Sequence, residues 1–149
     1  MVTGINDADF RTGIMPRVQL SLLTSQLAVD KALLKSVKEF AGFELMETMA
    51  LVEVLKDMGT PVPDLCEEHH ALLSRLKTLE GNNFDKVYLE AELVYHKFLR
   101  DLAQSYLNNS DGTSSAIDRE TRHLATIALF AFKEHIILCK RIFSEVSAV

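Results

Sequence analysis

Two stretches of this chain repeat their apolar residues at alternating steps of three and four, and each carries an ionisable residue mid-stripe. The first reads Val37, Ala41, Glu44, Thr48, Leu51, Leu55, Met58; the second reads Ile117, Thr121, Leu124, Ala128, Ala131, His135, Leu138, Ile142. That spacing keeps residues on one face of an α-helix. An ionisable group at the centre of such a face must be paired, neutralised or bound to a metal, because an unpaired buried charge is too costly. The chain is therefore held to packed helices with Glu44 and His135 inside.

The totals agree with that reading. A length of 149 residues suits one domain, 1–149, with a real core. Three prolines, six glycines and no tryptophan favour an all-α chain. A net charge of −5 without any basic cluster argues against nucleic-acid binding. The most apolar stretch, Ala125 to Phe132, is too short to cross a bilayer, so no transmembrane segment is expected. The N-terminus carries Asp7 and Asp9 and does not read as a signal peptide. A complete native chain would be cytoplasmic; a chain whose leader was removed would belong to the periplasm or envelope. Cys66 and Cys139 cannot build a disulfide framework, and Cys139 reads as a small buried hydrophobe.

Residues 1–16 read as a lead-in, either helical or irregular over Asn6–Met15, with Pro16 in the first turn of a helix over about Arg17–Leu33. Ser36 and Glu39 form a capping box opening a second helix to Met58, where Gly59, Pro61 and Pro63 stop it. Residues 60–83 are a crossover with a short helix, Leu65 to about Leu79, signalled by Asp64 and Glu67. Asn83 caps a third long helix, Phe84–Leu107, with core face Phe84, Val87, Tyr88, Ala91, Val94, Tyr95, Phe98, Leu102 and Tyr106. Ser115 and Asp118 start the last helix, which runs to about Val146. Four long helices with one long crossover give a ferritin-like four-helix bundle.

The crossover returns the chain to its starting end, so the second and third long helices run parallel and the last runs opposite. At about 1.5 Å per residue, Glu44 lies roughly 12 Å into its helix, His96 about 18 Å into the third, and His135 about 15 Å before the end of the last. All three fall in one layer, where the first helix offers only Ser21 and Thr24. Glu44 and His135 are central on their stripes, while His96, Glu92 and Glu47 lie at flanks. The plainest reading is a satisfied Glu44–His135 pair that fixes helix register. The second is a metal site of Glu44, His96 and His135, helped by Glu47 or Glu92, with zinc, iron or manganese as candidates and no cofactor strictly required. The third is proton transfer at His135 tuned by Glu44.

Other signals are weaker. Glu67–His70 and Glu120–His123 have di-iron spacing but lie off the core stripes, and His69 and His70 are expected in solvent. A nucleophile with its base, a phosphate loop and a zinc cysteine pair are absent, which leans away from an enzyme. The run 125–132 is either buried all round or leaves Leu129 and Phe130 for a homodimer or another protein partner.

The residues Leu27-Ala28, Lys31-Ala32, Val37-Lys38 and Phe40-Ala41, followed by Gly59, Pro63, His69, Leu72, Leu76, Gly81, Phe84-Asp85, Tyr88, His96 and His135, resemble a ferritin-like domain-of-unknown-function family. Its bacterial members are often assigned to the outer membrane or periplasm. The resemblance covers nearly the whole chain and implies a ferritin-like fold with no established enzymatic activity. The chain departs from the family at Ser21, where an acid is common, and at Glu47-Thr48, where an Asp-His pair is common. It also has Phe132 where a di-iron Glu-x-x-His ending at His135 would need Glu. Together these readings favour a non-enzymatic binding or interaction module of the bacterial envelope or stress response, with a metal-binding protein as the alternative.

Overall fold

The computed structural model describes residues 5–148 and is built of helices alone. In order they are α1 (Asp7–Lys31), α2 (Lys35–Asp57), α3 (Glu67–Thr78), α4 (Gly81–Asn109) and α5 (Ala116–Ser147). Four are long, and α3 is the extra helix inside the crossover between α2 and α4.

Two apolar clusters fix the directions. One joins Ala28, Val37, Phe40, Tyr88, Cys139 and Ile142; the other joins Phe10, Ile14, Leu55, Leu99, Tyr106 and Ala125. The C-terminal end of α1 thus meets the N-terminal ends of α2 and α4 and the C-terminal end of α5. So α2 and α4 run parallel, with α1 and α5 opposite. Lys31 fastens the crossover to this end: its ammonium donates to the carbonyls of Leu76 and Lys77, the last turn of α3. The bundle packs closely across α1–α2, α1–α4 and α4–α5, whereas α2 and α5 touch sparsely.

The expected element ends needed correction, each for a local reason. The lead-in is helical from Asp7, with Asn6 accepting from the Asp9 amide at 2.7 Å, and Pro16 lies within one continuous helix. Phe10, Ile14 and Met15 are fully buried, so packing draws this segment into the core. The Ser36–Glu39 capping box does not form, and Leu34 is the N-cap of α2. The Asp85 carboxylate instead holds the chain just before the helix, accepting from the amides of Leu33 at 2.9 Å and Leu34 at 3.0 Å. Asp64 makes no cap either; α3 starts at Glu67 behind Cys66. Helix α4 starts at Gly81 rather than behind Asn83, and Gly81 has a φ of 59°. That left-handed turn allows a two-residue join, Leu79 and Glu80, which a side chain would strain. Ser115 does cap α5, accepting from the Asp118 amide at 3.0 Å.

The inward face of α4 keeps Phe84, Tyr88 and Tyr106 of the expected residues but is turned along its middle. Asp85, Leu89, Glu92, His96, Leu99 and Ala103 are buried, while Val94 is 62% and Phe98 38% exposed. The Phe98 ring is covered by the Arg17 guanidinium, 3.5 Å from its centroid. Leu129 is buried, so of the expected pair only Phe130 faces outward. His69 is buried with its ring edge-on to Tyr95, contrary to the solvated position expected, because the crossover lies against α4. Glu67, His70, Glu120 and His123 are exposed. Cys66 is exposed, Cys139 is buried, and both are free. No helix among the described residues is long and apolar enough to cross a membrane.

Asp85 provides a test of the capping account. Asp85→Ala leaves two amides without their charged acceptor and is expected to cost about 3 kcal/mol, since hydrogen bonds to charged groups contribute roughly 1.5–3 kcal/mol each. Urea denaturation measures it; a loss within about 0.5 kcal/mol, typical of inert surface changes, would remove Asp85 from the α1–α2 join.

Candidate metal centre

The bundle's middle layer, between the two apolar clusters, is polar. The α2 stripe delivers Glu44, α4 delivers Glu92 and His96 one turn apart, and α5 delivers His135; all four are buried. Their backing on α1 is Ser21 and Thr24, small enough to admit two glutamates.

Glu44 is the hub. Its Oε1 faces His96 Nε2 at 3.1 Å and contacts His135 Nδ1. Its Oε2 accepts from Ser21 Oγ at 3.0 Å. The two inner imidazole nitrogens, His96 Nε2 and His135 Nδ1, are 3.4 Å apart. Glu44, His96 and His135 each offer one ligand atom, and these atoms lie within 4.8 Å of one another.

The outer nitrogens are held as well. His96 Nδ1 lies 2.6 Å from the Glu92 carbonyl oxygen, which can only accept, so this nitrogen carries the proton. His135 Nε2 meets Glu47 Oε2 at 3.0 Å. Glu92 itself accepts from Thr24 Oγ1 at 2.8 Å and Ser21 Oγ at 2.8 Å. Glu44, His96 and His135 meet in the shared layer, with His96 buried on the inward face of α4 rather than at the expected flank. Glu47 and Glu92 stand behind the histidines, Glu92 at the centre of its helix face rather than at a flank. Ser21 as the shared donor to both glutamates was legible only as a small polar residue in the right layer.

With protons in place of a metal, the layer is strongly coupled. Burial pushes Glu44 towards the neutral form, but the His96 charge and bonds from both imidazoles outweigh it and hold its pKa far below normal. Burial also opposes charge on the histidines. Glu44 and Glu92 nevertheless raise His96 to about 9, and Glu44 and Glu47 raise His135 to about 10. Glu92 rises to about 7 through burial and the nearby Glu44 charge.

The donor set also fits a metal ion. Two ligands each about 2.0–2.1 Å from a tetrahedral ion lie roughly 3.3–3.4 Å apart. Two of the three edges, the 3.4 Å imidazole pair and the 3.1 Å Glu44–His96 pair, are close to that length; the third, Glu44 to His135, is shorter and would open to admit an ion. An acceptor on each outer nitrogen is the support that ligating histidines require.

The sequence profile of a family described as a domain of unknown function, DUF4142, matches residues 2–140. The chain belongs to that family. No curated protein matches this DUF4142 chain significantly. Among solved structures, it is similar to a DUF305 fragment from Deinococcus radiodurans, at a TM-score of 0.78 and 12% identity, covering 97% of this chain and 99% of that one. It is equally similar to CopM in the Cu(II)-bound form, at a TM-score of 0.78 and 17% identity, covering 96% and 99%. At these identities the likeness shows the helical fold alone.

Proposed function

We propose that this DUF4142 chain is a non-catalytic metal-binding module holding one divalent transition-metal ion through Glu44 Oε1, His96 Nε2 and His135 Nδ1. The observation that carries the reading is the convergence of three buried donors whose outer sides are already satisfied. A pair that served only to fix register would need Glu44 and one histidine. Here a second imidazole turns its unsupported nitrogen to the same point, and Glu47 supports the first from behind.

Two imidazoles and one carboxylate suit zinc, copper(II) and iron(II) better than calcium or magnesium, which prefer oxygen. Copper and zinc bind such sites most tightly among the common divalent ions. The copper-bound CopM structure shares the fold and is consistent with that class of cargo. When bound, the ion would supply a charged anchor tying α2, α4 and α5 together. The Ser21 and Thr24 hydroxyls are buried and bonded to the glutamates, and the site is read as one for storage, buffering or delivery.

The test is metal stoichiometry. Untagged protein stripped by chelator, reloaded with zinc and freed of excess should retain a single equivalent by elemental analysis. Protein that remains metal-free would return Glu44, His96 and His135 to a purely structural role. Glu47 makes a finer prediction. Glu47→Gln removes the carboxylate behind His135 while keeping all three donors, and should weaken zinc by about 10–100-fold. Competitive titration against a chromophoric chelator reads this, and an unchanged affinity would strip Glu47 of its supporting role.

A second reading rests on α5, where Ile127, Phe130 and Ile137 are each about two-thirds or more exposed. Such a face suits a second protein surface and is compatible with a metal site below it. Sedimentation across a concentration series would show whether this face joins two copies.

A further inference from the structure

The sparse side of the bundle contains a second feature. Between α2 and α5 lies a cleft of about 250 Å³, with Glu44, His96 and His135 among its lining residues. Its remaining walls are mainly apolar: Val18, Leu51, Val54, Leu99, Leu124 and Phe132. The gap has a sequence cause. Ala50 on α2 and Ala128 and Ala131 on α5 also line it, too short to close the seam.

We propose that this cleft binds a small carboxylic acid with an unbranched apolar tail, its carboxylate completing the coordination of the ion held by Glu44, His96 and His135. The proposal rests on the metal-binding reading above. Three protein donors leave a coordination position open, as in zinc sites that take water or an exogenous ligand. Neutral imidazoles and one carboxylate leave a divalent ion with a net positive charge, which a monoanion neutralises. Glu92 does not line the cleft, and Glu47, which does, has its carboxylate on the outer nitrogen of His135 rather than at that position. The walls beyond offer almost no hydrogen-bonding partner, which selects against a polar tail.

The cleft opens to solvent beside Val54 and Ile127, and its volume sets the length of tail it can shelter. A dry cavity of about 150 Å³ accepts benzene, with its six heavy atoms. Scaling to 250 Å³ gives room for about ten heavy atoms, the size of octanoate. Each buried methylene should tighten binding roughly four-fold, so chain length is a sensitive reporter.

Isothermal titration of octanoate and acetate into zinc-loaded protein tests this, with zinc content measured on the same samples. Octanoate should bind with a single site and at least about 100-fold more tightly than acetate. Ala131→Phe, at a half-exposed lining position, should fill the cleft and abolish octanoate binding while zinc stays stoichiometric. If that variant fails to fold, Val54→Gln, at a partly exposed wall position, should weaken octanoate about ten-fold or more by leaving its amide against the tail. Absence of zinc in the wild-type protein would overturn both the metal reading and this one. Stoichiometric zinc with no octanoate binding, with equal affinity for acetate, or with both wall variants unaffected would overturn the cleft proposal alone.

Discussion

Replacing Glu44 with glutamine is expected to abolish stoichiometric metal retention and to weaken the metal-free bundle in the same stroke. The substitution keeps the volume and an oxygen for Ser21, so packing is nearly unchanged. It removes the only carboxylate among the described residues that faces both inner imidazole nitrogens. Metal affinity should fall by at least about 100-fold, a loss that substitutions merely behind a ligand already approach. Without metal, His96 and His135 lose the counter-ion they share and keep only Glu92 and Glu47 behind them. Breaking a buried pair from one side costs about 3–5 kcal/mol; the low end applies because the imidazoles can shed protons instead of remaining unpaired. Chelator competition and urea denaturation measure the two effects separately. Unaltered metal binding in Glu44→Gln would exclude Glu44 as a ligand. A stability change under about 0.5 kcal/mol would show that the imidazoles do not depend on it.

The second large effect is a reversal in the pH dependence of stability. In the metal-free protein, His96 and His135 titrate at about 9 and about 10, above their ordinary 6.5. Their stabilising contribution is complete below about pH 6.5 and is lost as the pH rises through those values. Glu92, raised from 4.5 to about 7, acts with the same sign at lower pH. Glu44, held low, contributes above its unfolded value and is lost only in strong acid. The melting temperature of metal-free protein should therefore fall as pH rises from about 5 to 10. Zinc keeps both imidazoles deprotonated in the folded state, so below about pH 6.5 the unfolded chain binds the extra protons. Stability of the loaded protein should then rise from about pH 5 to 7. Free zinc at a thousand times its dissociation constant should add about 4 kcal/mol. Thermal melts followed by circular dichroism, with chelator and with zinc, decide it; parallel pH profiles would contradict a metal held by these histidines.

The site residues were legible to different degrees, and the differences have physical causes. Glu44 and His135 stand out because apolar neighbours on α2 and α5 frame them, so an ionisable residue is conspicuous. His96 and Glu92 do not, because the inward face of α4 carries Asp85, Glu92 and His96. Hydrophobic periodicity then points to the flank with Val94 and Phe98, which the bundle leaves partly exposed. A buried polar layer inverts the rule that locates a core, and only partners on other helices restore the correct face. Cap signals misled similarly. The Ser36–Glu39 pattern is sound locally, but the helix starts two residues earlier, behind Leu34, where Asp85, distant in sequence, holds the Leu33 and Leu34 amides. Helix count, the crossover and the shared layer survive because they depend on many residues at once. The α2–α5 cleft had no signal of its own: alanine at positions 50, 128 and 131 reads as ordinary helix until the facing residues are known.

The central claim is that Glu44, His96 and His135 hold one metal ion. X-ray absorption at the zinc edge, on protein loaded with a single equivalent, tests it most directly. The account predicts two imidazole nitrogens and carboxylate oxygen at about 2.0–2.2 Å, with the imidazole signal reduced in His135→Ala. Sulfur neighbours at about 2.3 Å, or a spectrum unchanged by that substitution, would place the metal elsewhere and contradict the account.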